Sequence, residues 1–157
     1  MSEFRQDIDT KNWVLVAESR AKRPSDFETM EATPKDLPAV SKTCVFCPGN
    51  EPLTVGEIAR YPESGDWQVR VVPNKYEAVG HTIGRRREDF YLSRPGIGDH
   101  EVVVTRYHDK PLALQDVELI DLTLRVYIDR INDLKQHEEV RYIHIIQNHG
   151  IQAGVSV

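Results

Sequence analysis

Residues 100–134 read HEVVVTRYHDKPLALQDVELIDLTLRVYIDRINDL, and two periodicities meet inside that stretch. Residues 100–105 (HEVVVT) are a short run rich in β-branched side chains, the composition of a strand. Past a polar turn that carries His108, the residues Val117, Ile120, Leu124, Tyr127, Ile131 and Leu134 recur at spacings of three and four. That spacing predicts one long amphipathic helix with this stripe as its apolar face, and Asp116 stands where an N-cap belongs. A strand feeding a single long helix is the local evidence for a sheet covered by a helix.

Working outward, Trp13–Ala17 (WVLVA) reads as another strand. Residues 67–72 (WQVRVV) alternate, which predicts Trp67, Val69 and Val71 on one face and Gln68 and Arg70 on the other. Residues 140–147 read as a fourth strand. Residues 18–66 are polar and proline-punctuated, so at most short helical turns are expected there. Together these elements predict an α+β domain, a mainly antiparallel sheet packed with one long helix.

Composition narrows the classes. A chain of 157 residues suits one domain, and 39% hydrophobic with 29% charged residues describes an ordinary globular protein. The net charge of -5 argues against a nucleic-acid partner. No apolar run approaches the ~18 residues of a membrane span, and the N-terminal MSEFRQDIDT lacks an apolar signal core. The expectation is a cytoplasmic protein with no membrane partner.

Cys44 and Cys47 form a C-x-x-C in TCVFCPGNE, a spacing that lets two thiolates reach one tetrahedral zinc. Redox chemistry and plain core cysteines are the alternatives. Redox is disfavoured because Pro48, Gly49 and Asn50 make a turn, leaving no helix dipole to lower a thiol pKa. Zinc needs two more ligands, and six histidines are available. His108, after a strand and in a polar turn, is a plausible third ligand, though spacing alone singles out none of the six. Position in a strand favours packing roles for His100 and His144, while exposure is expected for His81, His137 and His149. Arg20, Lys22 and Arg23 after the first strand are either a solvated basic turn or a diphosphate clamp. Asn74 and Lys75 end a strand in a turn, and Asn148 precedes a glycine-bearing segment, 154–156, whose backbone N–H groups suit phosphate oxygens. Arg85, Arg86 and Arg87 read as a solvated loop.

Five blocks in order, residues 5–27, 44–51 (CVFCPGNE), 67–79 (WQVRVVPNKYEAV), 98–112 (GDHEVVVTRYHDKPL) and 142–157, resemble the galactose-1-phosphate uridylyltransferases, a histidine-triad-like family of nucleotidyl transferases. The resemblance covers nearly the whole chain and implies an N-terminal domain over residues 1–157. It implies zinc held by Cys44, Cys47 and His108, although Thr105-Arg106-Tyr107 departs from the family's usual lead-in to that histidine. It implies substrate contacts from Arg20, Ala21, Lys22, Arg23, Asn74, Lys75, Asn148, Gly154, Val155 and Ser156, with a UDP-sugar and a sugar 1-phosphate as partners. It implies ping-pong uridylyl transfer in a homodimer. The family's nucleophile sits in His-Pro-His-x-Gln just after the glycine loop, and that motif does not occur here, so no catalytic residue is expected within this chain. His100 matches a frequent family position without an assigned chemistry. An ADP-glucose phosphorylase-like adenylyltransferase and a non-catalytic nucleotide-sugar-binding paralogue are the rival readings.

Overall fold

The computed structural model describes residues 2–18, 20, 37–82 and 92–148. The fold class is α+β: two three-stranded antiparallel sheets and one long helix. The first sheet has the order β2-β1-β5, built from β1 (Ser2–Gln6), β2 (Trp13–Ala17) and β5 (Ser93–Pro95). The second has the order β3-β4-β6, from β3 (Ala59–Tyr61), β4 (Val69–Pro73) and β6 (Glu101–Thr105). Helix α1 spans Val117–Leu134.

The β1–β2 hairpin turns around one side chain. Asp7 Oδ1 accepts the amides of Asp9 and Thr10 and the Thr10 hydroxyl, while Lys11 takes a left-handed φ of 61°. At the far edge, Gly96 donates to the Ser2 carbonyl at 2.9 Å. A Cβ at Gly96 would stand 3.1 Å from Ser2 backbone atoms, so the close approach favours glycine.

The second sheet is covered on both faces, and this positions the site. On one face Val69 and Val71 pack with Leu119 and Val126 of α1, joined by Val103, Leu122, Ala59 and Tyr61. On the other, Val72 and Val104 pack with Trp67 and with Phe46 of the C-x-x-C loop. Each fully buried valine here contributes about 1.5–3 kcal/mol of apolar burial.

Several expectations are corrected. Trp67 packs with Val72 and Val104, not with Val69 and Val71. Arg70, expected on a polar face, is 1% exposed. Its Nε donates to Glu57 Oε2 at 2.5 Å, its guanidinium lies 5.4 Å from the Trp67 ring centre, and its Nη1 has no partner among the described residues. The helix has the expected limits and Asp116 at its N-cap, but the Asp116 side chain makes no capping bond. Its buried residues are Leu119, Thr123 and Val126, whereas Val117 and Leu124 of the predicted stripe are 75% and 50% exposed. Residues 141–148 are irregular, not a strand, and His144, Ile145 and Ile146 are exposed. They lack a paired neighbour among the described residues, and apolar content without a partner makes no strand. Short β3 lies inside the stretch read as turns only.

No helix among the described residues is long and apolar enough to cross a membrane.

Candidate functional site

Cys44, Cys47 and His108 come together. One ligand atom from each lies within 4.8 Å of the others, with both cysteines buried and His108 half-buried. The cysteines carry no disulfide. The loop is folded to hold them. The Cys47 N–H donates to the Cys44 carbonyl, the Asn50 N–H donates to the Cys47 carbonyl, and Gly49 takes a left-handed φ of 89°. The Asn50 side-chain amide donates to the carbonyls of Ser41, Lys42 and Cys44, so one residue gathers the turn. The Ser41 N–H donates to Cys47 Sγ at 3.2 Å, the kind of N–H···S contact that stabilises a thiolate. His108 reaches the loop from beyond β6, its amide donating to the Ala39 carbonyl at 3.1 Å.

Two soft sulfurs and an imidazole are a donor set for a tetrahedral d¹⁰ metal. Metal bonds of about 2.0–2.3 Å span such a cluster after sub-ångström adjustment, so the residues fit a metal ion. Without one, burial pushes the Cys44 thiol above its ordinary value, so a metal would have to displace its proton. Asp109, next to His108, carries a buried carboxylate oxygen without a donor among the described residues. A redox role finds no helix after the motif, only the single 3-10 turn Glu51–Leu53.

The second constellation forms around the turn after β4. Arg20 Nη1 donates to the Tyr76 carbonyl at 3.1 Å, bringing this basic residue to the Asn74–Lys75 turn. Asn74 Oδ1 accepts the Tyr76 N–H at 2.8 Å, and the Asn74 N–H donates to the His100 carbonyl at 2.8 Å. Lys75 is exposed, its ammonium 5.8 Å from the Tyr76 ring centre. Asn148 is described and exposed. Ala21, Lys22, Arg23, Gly154, Val155 and Ser156 lie outside the described residues, as do His149 and the Arg85–Arg86–Arg87 triplet.

The family described as galactose-1-phosphate uridyl transferase, N-terminal domain, matches residues 1–157. The chain belongs to this family. It is 32% identical over 163 residues to an ADP-glucose phosphorylase of Arabidopsis thaliana, covering 99% of this chain and 45% of that protein. It is 26% identical over 161 residues to a galactose-1-phosphate uridylyltransferase of Thermotoga maritima, covering 100% of this chain and 44% of the relative. The crystal structure of an Arabidopsis thaliana ADP-glucose phosphorylase with bound ADP-glucose superposes with a TM-score of 0.61 at 31% identity, over 99% of this chain and 45% of that one. The chain therefore spans somewhat less than half the length of these family relatives.

Sequence reasoning missed what surrounds these family residues. Asn50 sits only three residues past Cys47, and its amide signal was readable as turn chemistry. The Asp99 carboxylate, which joins His81 and His137 at 2.9 Å each, gave no local signal because its partners lie 18 and 38 residues away.

Proposed function

We propose that this chain is the nucleotide-binding, metal-braced part of a nucleotidyl transferase that exchanges a nucleotidyl group between UDP-glucose and galactose 1-phosphate. The observation that carries the reading is the convergence of Arg20 on the Asn74–Tyr76 turn. That cation, the Asn74 amide and Lys75 offer charge and N–H groups to a diphosphate and ribose, the means by which such reactions are accelerated. The family membership supports the same class.

In this reading Cys44, Cys47 and His108 hold zinc, which ties the loop to the turn after β6 as a structural brace. The residues of this chain bind and orient the nucleotide. The covalent step belongs to the histidine of a His-Pro-His motif, which does not occur among residues 1–157. Arg20 through Arg23, Asn148 and Gly154 through Ser156 complete the contacts, in a homodimer.

A second reading, adenylyl transfer between ADP-glucose and phosphate, is favoured by the 32% identity to an ADP-glucose phosphorylase against 26% to the uridylyltransferase. The intact protein, offered UDP-glucose with galactose 1-phosphate and, separately, ADP-glucose with inorganic phosphate, decides between them. Turnover of the first pair alone is the expected result. Turnover of the second alone replaces it, and binding of either nucleotide sugar without turnover leaves a non-catalytic binding protein.

A further inference from the structure

His100 lies at the mouth of β6 with both ring nitrogens engaged. The Ala78 backbone N–H donates to Nδ1 at 2.9 Å, and the Asn74 side-chain amide stands 3.1 Å from Nε2. A backbone N–H has no lone pair, so Nδ1 must be the bare nitrogen and a neutral ring carries its proton on Nε2. Burial, with the Arg20 charge adding to it against the opposing Glu77, pushes the imidazole below its ordinary value and keeps it neutral.

That tautomer creates a mismatch. Asn74 Oδ1 accepts the Tyr76 N–H, which turns the Asn74 NH2 toward the Nε2–H of His100. Two donors then face each other. Turning the Asn74 amide over only moves the conflict to the Tyr76 N–H. With Ala78, Tyr76, Asn74 and His100 together, the cluster holds more N–H donors than its two acceptors, His100 Nδ1 and Asn74 Oδ1, can take.

Resting on the nucleotide-binding reading above, we infer that His100 is a positioning residue: fixed by Ala78 as the Nε2–H tautomer, it and Asn74 present their surplus N–H to an acceptor oxygen of the bound nucleotide. Both the ribose hydroxyls and the phosphates supply such an oxygen. Arg20, bonded two residues on at Tyr76, places positive charge beside the same turn.

Histidine-selective ¹⁵N NMR of the intact protein without nucleotide tests the tautomer directly, the His100 signal being identified by its loss in His100→Asn. A neutral Nε2–H ring at neutral pH is expected. An Nδ1–H ring or an imidazolium overturns the inference whatever the protein binds. Calorimetric titration with UDP-glucose and ADP-glucose tests the reading beneath it. If neither binds the wild-type protein, the nucleotide reading fails and takes the ligand half of the inference with it, while the NMR still decides the tautomer. Asparagine at position 100 keeps an acceptor near Nδ1 for Ala78 but falls short of Asn74, whereas glutamine extends an N–H to the Nε2 position. His100→Asn should melt close to wild type and bind the preferred nucleotide sugar about tenfold more weakly, the scale of one hydrogen bond. His100→Gln should recover part of that loss. Wild-type affinity in His100→Asn, or equal losses in both variants, would overturn the assignment. Uridine and inorganic phosphate, titrated separately, locate the oxygen: a loss confined to uridine assigns it to ribose, a loss confined to phosphate assigns it to the diphosphate, and no loss with either rejects it.

Discussion

Arg130 on α1 grips Glu101 at the start of β6 with two parallel bonds, Nε to Oε2 at 2.9 Å and Nη2 to Oε1 at 2.7 Å. Both side chains are largely covered, at 14% and 12% exposure, so the pair fastens the helix to the strand that leads to His108. Removing Arg130 strips the covered Glu101 of this partner, which costs more than the pair itself contributes, whereas Arg130 keeps Asp133 when Glu101 is changed. Arg130→Ala should lower unfolding stability by about 2 kcal/mol, and Glu101→Gln by about 1. Urea denaturation of both variants checks this, and unchanged midpoints would show the pair to be incidental.

The helix face makes a sharper test. Leu119 packs in the core while Leu124, on the stripe that the spacing predicted to be buried, is half exposed. Leu119→Ala should cost about 2–4 kcal/mol and Leu124→Ala under about 1. The reverse order would mean that the helix sits rotated from the orientation described.

Metal should be found with this chain and should matter to its fold. Elemental analysis of protein purified without chelator is expected to give one zinc per chain. Cys47→Ser should lose it and lower the melting temperature, because Phe46 of the same loop packs against Trp67, Val72 and Val104. Binding must release protons, since burial holds the Cys44 thiol up, so zinc affinity should fall as pH falls. Zinc content near zero, unmoved by added metal, would reject the site.

The Asp99 tether predicts a small pH dependence. The hydrogen bond to Asp99 raises His81 above its ordinary 6.5. Burial works to raise Asp99, but the bonds from His81 and His137 outweigh it and hold the carboxyl below its ordinary 3.8. The His81 contribution is therefore complete below the unfolded histidine value and is lost as pH rises through the raised folded value. The Asp99 contribution is present above the unfolded carboxyl value and is lost on acidification. His81 is 55% exposed, so the effect should be slight, a fall of about 1–2 °C in melting temperature between about pH 6 and pH 8.5. Asp99→Asn should remove most of that slope, the remainder belonging to Glu139, 3.4 Å from His81 Nδ1, and a slope unchanged in the variant would assign it elsewhere.

By itself the sequence determined the elements that carry their own periodicity. The limits of β2 and α1, the strands around Val71 and Val103, and the Cys44–Cys47–His108 grouping were all legible from residues close together or from the family resemblance. The tertiary structure decided what depends on a partner. Strands of three residues, such as β3 and β5, have too few positions for a pattern and exist because a neighbour supplies their hydrogen bonds. Residues 141–148 have strand composition and no described neighbour, and they stay irregular. Helix α1 carries apolar side chains on two opposite stripes, one through Leu119, Leu122 and Val126 and one through Val117, Leu124 and Ile128, so periodicity alone could not choose between them. The sheet made that choice. The same holds for Arg70, whose side chain is buried with partners at a distance in sequence, Glu57 and Thr54, with Glu57 and the Trp67 ring compensating the charge.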